Sequence, residues 1–210
     1  MEINERTAEL VGAIIGDGYI YCKNNKYQIG IVGNPITDKE YFEKLKELIF
    51  LEWKKEVQAK FRFRGLRMVF NSKEVCEFLI NDLKMPHGKG KGEKVIIPEI
   101  ILNDLNLVKY TIRGIADTDG SVFVSKKPGI EKYPSIEITT TSINLANQLK
   151  EILTKMNFRV SLRIGKRKNM IGLTPYRIGL YGKWNLKKWM EEIGFSNLYK
   201  HNRAMNYLEL

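Results

Sequence analysis

The sequence predicts an α+β fold built as a pseudo-two-fold duplication, each copy running α-β-β-α-β-β-α. Two observations carry this. Apolar residues switch between helical spacing and strict alternation in the same order twice along the 210 residues. Short identities then recur at a near-constant distance. Leu45-Lys46-Glu47-Leu48 returns as Leu149-Lys150-Glu151-Ile152 and Thr37 as Thr141, 104 residues on, while Asp17-Gly18 returns as Asp119-Gly120, 102 residues on. These identities fall at equivalent places in the element order, as an internal duplication requires. A chain of this length accommodates one domain or two small halves sharing a core.

In the first copy, residues 7–16 form an apolar run of helical length. Residues 19–22 and 27–32 read as two strands around the turn Lys23-Asn24-Asn25-Lys26. Thr37 opens a helix through Leu51 with Tyr41, Leu45, Leu48 and Ile49 on one face. Residues 57–64 and 66–70 make a second hairpin, and Ser72 caps a helix running to about Leu83. The second copy repeats this with helices over 109–118, 142–156 and 185–193 and strands over 121–125, 135–140, 158–164 and 176–181. Residues 1–84 and 99–210 are thus the halves and 85–98 the bridge. Its run His87-Gly88-Lys89-Gly90-Lys91-Gly92 reads as a flexible basic linker that touches phosphates at most, since it fits neither a P-loop nor a dinucleotide fingerprint.

Lys plus Arg number 35 against 24 Asp plus Glu, a net charge of +11, yet 43% of residues are apolar. This is a basic globular chain rather than a disordered tail. The excess is one-sided. Residues 1–108 hold 17 basic and 16 acidic side chains, and residues 109–210 hold 18 and 8. A one-sided excess on a folded chain points to a polyanion surface, most commonly for nucleic acid. Cys22 and Cys76 are far apart and His87 and His201 are isolated, which argues against a disulfide scaffold, a zinc finger, a zinc-bound HNH nuclease or a histidine base. No apolar run reaches membrane-spanning length and the first ten residues are too charged for a signal peptide. The expectation is a soluble intracellular protein, cytoplasmic or organellar, with no membrane partner.

The chemistry-bearing segments are Leu10-Val11-Gly12-Ala13-Ile14-Ile15-Gly16-Asp17-Gly18 and Ile112-Arg113-Gly114-Ile115-Ala116-Asp117-Thr118-Asp119-Gly120. Gly12 with Gly16, and Gly114 with Thr118, space small residues four apart, so two helix backbones can approach along one seam. Each seam ends in Asp-Gly. An aspartate at the negative end of a helix dipole, beside a second carboxylate, is poorly placed for stability alone, and a divalent cation removes both costs. Asp117 has no acidic counterpart, since Ile15 holds that place, and its expected role is local hydrogen bonding or capping within its helix. A calcium loop is excluded because the glycine of Asp117-Thr118-Asp119-Gly120 comes fourth, too early for an EF-hand.

With these two segments in place, nearly the whole chain resembles the LAGLIDADG homing endonuclease family in its single-chain form with two motif copies. The resemblance implies that the motif helices pack at a pseudo-two-fold interface, that two four-stranded antiparallel sheets form a DNA-binding saddle with helices behind, and that Asp17 and Asp119 bind the cleavage metals. It implies Mg²⁺ held by Asp17, Asp119 and carbonyls such as those of Gly16 and Thr118, and a metal-activated water cutting one phosphate per strand. It also implies a pocket lysine near the start of each copy's final helix, where Lys73 and Lys183 fall. Ile15, Gly16, Arg113 and Thr118 depart from the family's pattern without touching the metal-binding acids.

The strands independently offer what a saddle needs. In residues 57–64 and 158–164 every second residue is polar or basic, while the intervening ones are apolar. One face builds core; the other presents Lys60, Arg62, Arg64, Arg159 and Arg163 to phosphates and guanine edges, extended by Arg67, Arg177, Lys166, Arg167 and Lys168. Gln28, Tyr19, Tyr21, Glu137 and Thr139 are further candidates on the face. Phe61, Phe63, Trp184 and Trp189 are expected in the core, which argues against a base-stacking RNA sheet. The expected function is metal-dependent cleavage of both strands of a roughly 20-base-pair, partly palindromic DNA site by an intron-encoded monomer. The alternative is a binding protein on the same scaffold, either an intron RNA maturase or a non-cleaving DNA-binding regulator. An intein splicing domain is not expected from this length of chain and these cysteine positions.

Overall fold

The computed structural model describes residues 1–62, 65–165 and 172–209, with the side chain of Glu131 excepted. In the first half, helix α1 (Glu5–Ile15) leads to strands β1 (Gly18–Lys23) and β2 (Lys26–Gly33), helix α2 (Lys39–Trp53), strands β3 (Ala59–Arg62) and β4 (Gly65–Asn71), and helix α3 (Lys73–Glu77). The last of these runs on as a π-helical turn over Phe78–Asp82. Two short helices follow, α4 (Lys91–Lys94) and α5 (Glu99–Leu102). The second half runs α6 (Leu105–Asp119), β5 (Gly120–Lys127), β6 (Ile130–Thr140), α7 (Ile143–Lys155), β7 (Val160–Ile164), β8 (Tyr176–Tyr181), α8 (Lys183–Glu192) and α9 (Leu198–Glu209).

Both sheets are four-stranded and antiparallel, ordered β1-β2-β4-β3 and β5-β6-β8-β7. Their registers coincide under the duplication. Ile20, Ile29 and Phe70 stand side by side across one sheet, and Val122, Ile136, Leu180 and Val160 across the other. These side chains turn to the helices, and all but Val160 are buried in one continuous core with Leu45, Leu79, Leu149 and Trp189. A one-residue slip would carry that set to the opposite face, so burial itself pins the register.

The halves meet along α1 and α6. Asn4 caps α1 by accepting from Arg6 N and Thr7 N, and Asp104 caps α6 by accepting from Asn106 N and Leu107 N. The expected small-residue seam is present: a Cβ on Gly12 would stand 2.1 Å from the Thr111 carbonyl oxygen, and one on Gly114 would stand 2.3 Å from that of Glu9. Only glycine admits backbones at this distance.

Four sequence expectations change. The bridge is not an open tether, because Met85, Val95 and Ile97 are buried in the core and Ser142 Oγ donates to Val95 O. Phe61 is 67% exposed and Ile164, at the equivalent place on β7, is 71% exposed. Both lie by register on the helix side but at the tips of edge strands, left uncovered. Trp184 is 47% exposed rather than core, with the Arg159 guanidinium 4.8 Å from its ring. Finally α9 was not expected at all, although Asn197, which accepts from Lys200 N, caps its start. No helix among the described residues is long and apolar enough to cross a membrane.

Candidate functional site

The two motif helices end side by side with an acid at each end. Asp119 is the last residue of α6, and Asp17 follows α1 by two positions, its carbonyl accepting from Val32 N of β2. A Cβ on Gly16 would lie 3.4 Å from Asp119 Oδ2, so the second carboxylate rests against the residue before the first. Asp17 reaches solvent and Asp119 is half-buried. Withdrawal of water by the surrounding protein raises the Asp119 carboxyl to about 7, reinforced by the charge of Asp17 and opposed by Lys91 and Lys200. Asp17 is raised by the same desolvation, with Lys200 and Lys91 opposing and Asp38 reinforcing.

Two lysines complete the cluster. Lys91, on α4 of the bridge, donates through Nζ to the carbonyls of Ile14, of Ile15 at 3.0 Å and of Gly18 at 2.6 Å, with Gly16 at 3.5 Å. Lys200, on α9, donates to Ala116 O at 2.9 Å, Asp117 O at 2.7 Å and Thr118 O at 3.1 Å. Ile14, Ile15 and Gly16 are the duplication's counterparts of Ala116, Asp117 and Thr118, so the lysines are equivalent. Each places an ammonium on the last-turn carbonyls and negative dipole end of a motif helix. Burial lowers both, Lys91 to about 8, while the acids pull the other way.

The structure does not bring Lys73 and Lys183 to the acids. The Lys73 side chain is 64% exposed, 3.7 Å from Glu77, and Lys183 is exposed in the first turn of α8. The charges acting on the acid pair are those of Lys91 and Lys200, which sequence reasoning missed. The bridge and the C-terminal tail each follow a copy's last helix, but Lys91 is one of several lysines in the bridge and nothing in its sequence setting singles it out. Asp117 also departs from expectation. It is buried and caps a distant element rather than its own helix, accepting from Ser196 N at 2.9 Å and Asn197 N at 3.1 Å.

The sheet faces turned away from the helices carry the predicted cations. Lys60 stands opposite Arg67 across β3 and β4, and Arg163 opposite Arg177 across β7 and β8. Like charges directly opposite in a ladder are unfavourable, so their recurrence in both sheets suits a surface that meets an anion. Arg62 shares the first face, opposite Gly65. Arg67 Nη2 donates to Tyr19 Oη, which donates to Gln28 Oε1, while the buried Arg67 Nε has no partner among the described residues. On the second face Glu137 lies 3.7 Å from Arg177 and accepts from Tyr181 Oη. Arg159 is exposed but turned to Trp184 at the sheet margin. Arg64 and Arg167, with Phe63, Lys166 and Lys168, lie outside the described residues.

Among the described residues no three His, Cys, Asp or Glu side chains converge as a metal site. The donor set is instead two carboxylates with backbone carbonyls, all oxygen, at a point where two acids repel. That chemistry fits a hard divalent cation such as Mg²⁺, which is ordinarily held by one or two carboxylates with waters and phosphate oxygens filling the remaining positions.

The family model of the LAGLIDADG-like domain matches residues 106–194. The fold is that of I-DmoI: its complex with DNA and Ca aligns over 96% of each chain with a TM-score of 0.66 at 16% identity. Its complex with DNA and Mn aligns over 90% of this chain and 96% of that one, with a TM-score of 0.62 at 15% identity. Full-length DUF199/WhiA from Thermatoga maritima also aligns, over 96% of this chain and 60% of that one, with a TM-score of 0.59 at 15% identity. By sequence, the chain is 30% identical over 213 residues to the replication factor C small subunit of Methanocaldococcus jannaschii and 27% identical over 202 residues to that of Thermococcus kodakarensis. It spans 10% and 21% of those relatives' lengths, and they cover 99% and 96% of it. Paired glycine-lined helices, an acid at each end, and two β1-β2-β4-β3-type sheets agree with these matches: the second half carries a LAGLIDADG-like domain, and the chain as a whole has the fold of I-DmoI.

Proposed function

We propose that the chain is a site-specific endonuclease that cuts both strands of a long, partly palindromic duplex DNA in a divalent-metal-dependent reaction, with Mg²⁺ as the working ion. The observation that carries this is the acid pair Asp17 and Asp119 at the ends of the paired helices, flanked by two equivalent lysines and lying between two cationic sheet faces.

In this reading the sheets seat one half-site each. Lys60, Arg62 and Arg67 on one face and Arg163 and Arg177 on the other neutralise phosphates or read guanine edges, with Gln28 available to an adenine. Arg159 serves from the margin. Asp17 and Asp119 hold the cation, and the carbonyls of Gly16 and Thr118 keep a lone pair beyond the one facing the lysine. When bound, Mg²⁺ lowers the pKa of water and neutralises charge on the reacting phosphate. The Lys91 and Lys200 ammonium groups flank the acids and stabilise negative charge that develops on each side. The motif helices keep the two carboxylates at one spacing, which sets the distance between the two cuts. The chain acts as a monomer, because both copies of the motif are in one polypeptide.

Matches to segments of two proteins named replication factor C small subunit make such a coding sequence, with the matched segment removed, the first substrate to try. A randomised duplex library is the second. Sequencing of ends produced with and without Mg²⁺ should show one staggered cut site, present only with metal. Specific retention of a duplex without any cutting would instead favour a DNA-binding regulator on this scaffold, and preferential retention of structured intron RNA would favour a maturase.

A further inference from the structure

The two lysines are equivalent in what they touch but not in how they are held. Lys91 sits on the four-residue helix α4, preceded by Gly90 in a left-handed conformation with no side-chain cap, within a glycine-rich run. Its helix is held at the flanks, by Gly88 N donating to Ile20 O before it and by buried Val95 after it, while the lysine itself has only its ammonium contacts and no side-chain frame at the helix start. Lys200 is in the first turn of the twelve-residue α9, whose start is fixed by a buried frame. Asn197 is fully buried; its Oδ1 accepts from Lys200 N, and its Nδ2 donates to Asp38 Oδ1 at 2.9 Å and lies 3.5 Å from Asp117 O. The Asp117 carboxylate accepts from Ser196 N and Asn197 N, one with each oxygen. Asp38, at the start of α2 in the first half, is itself held by Asn34 N and Thr37 Oγ1.

We propose that Asp117 and Asn197 are positioning residues for Lys200, and that through Asp38 they lock that lysine's helix to both halves, leaving the Lys91 side of the acid pair the adjustable one. This rests on the reading of the chain as a nuclease with Lys200 beside the reacting phosphate. The geometry supports a positioning role over simple helix capping because one frame does three things. It caps α9, it ties α9 across the pseudo-two-fold to Asp38, and it sets Lys200 on the carbonyl of Asp117 itself. A cap alone needs only the first. Ile15, the counterpart of Asp117, offers no carboxylate, so Lys91 cannot be held in this way.

The experiment has two readouts on Asn197→Ala, Asn197→Ser, Asp117→Asn and Lys200→Met, each first checked for a cooperative melt. The first uses metal-free protein: amine acetylation followed by mass spectrometry, with Lys91 as the internal reference. Loss of a buried hydrogen-bonding frame should expose Lys200 about tenfold more often. Asn197→Ala should therefore raise its labelling by about that factor while Lys91 is unchanged. Asn197→Ser, which restores the cap but not the bond to Asp38, should fall between. Asp117→Asn, which presents an amide donor to one of the two backbone N–H groups, should resemble Asn197→Ala. The second readout is strand-resolved cleavage of end-labelled duplex. Lys200→Met should spare one strand, and Asn197→Ala should slow cutting of that same strand by about tenfold with DNA affinity unchanged. General loosening would slow both strands alike.

Unchanged Lys200 labelling in both Asn197→Ala and Asp117→Asn overturns the proposal, as does equal slowing of both strands. Normal cutting of both strands by Lys200→Met would instead remove Lys200 from the nuclease reading, and the labelling result would still decide whether the frame holds it.

Discussion

Adding a single carbon to the helix seam should damage both stability and chemistry. A Cβ on residue 12 would stand 2.1 Å from the Thr111 carbonyl oxygen and 3.1 Å from Gly114 Cα. Carbon and oxygen tolerate about 3.3 to 3.6 Å in such contacts, so α1 and α6 must part by about 1.2 to 1.5 Å. Both obstacles are backbone in a packed core and cannot rotate away. Overpacking of this kind costs about 1 to 3 kcal/mol, and rigid neighbours place Gly12→Ala near the upper end. At about 2 to 4 °C per kcal/mol for a chain of this size, the melting temperature should fall by about 6 to 12 °C, and further for Gly12→Leu. The same parting shifts Asp17 relative to Asp119, and a 1 Å misplacement can cost about a hundredfold in rate. Gly65→Ala is the control, because the nearest atoms to its Cβ would be 3.6 Å away at ordinary contact. Gly165 is a poorer control, since its Cβ would meet the Pro175 side chain at 2.9 Å and Arg177 Nε at 3.0 Å. Scanning calorimetry and cleavage assays below both melting temperatures decide the matter. A Gly12→Ala protein that melts with Gly65→Ala and cuts at the wild-type rate refutes the seam.

Three further outcomes are expected. Lys91→Met and Lys200→Met should each nick rather than cut through, on opposite strands, as read on a denaturing gel of end-labelled duplex; identical strand preference in the two would break their equivalence. Lys60→Ala and Arg163→Ala should each lower the slope of log affinity against log salt by about 1 if they contact phosphate, or relax preference at one base pair by about 1 to 3 kcal/mol if they read a base. Unchanged slope and preference in both would leave these faces merely solvated. Cys76 is buried and its thiol is pushed up to about 11 by burial, with Cys22 and Glu77 adding to the effect, so iodoacetamide should alkylate Cys22 well before Cys76 in the folded chain. The reverse order would contradict the packing of α3 against the first sheet.

How much of this was legible beforehand follows from which forces act locally. The eight strands and the six helices inside the duplication announce themselves through periodicity, because burial of one face imposes it. The seam was readable from Gly12, Gly16, Gly114 and Thr118, since close backbone approach restricts residue size. The acids were readable because carboxylates at helix ends need an unusual reason. Lys91 and Lys200 were not, because their partners are backbone carbonyls 73 to 84 residues away that leave no mark on side-chain identity. Lys73 and Lys183 occupy matching places in the two copies, but matching places at exposed helix starts record duplication rather than shared chemistry. Phe61 and Trp184 misled for a related reason: alternation on a strand, or a place on a helix, reports which way a side chain points, not whether anything lies over it. Asp117 looked local because its partners, Ser196 and Asn197, lead into a helix that the duplication pattern did not include.

The most direct test of the acid pair compares wild type with Asp17→Asn and Asp119→Asn on one duplex target, measuring binding in Ca²⁺ and cleavage in Mg²⁺. Each substitution keeps the side chain's shape and removes the charge that holds a divalent cation, so binding should persist while double-strand cutting is lost in both. Cutting at the wild-type rate by either variant would contradict the assignment of that carboxylate to the metal, and with it the account of how this site works.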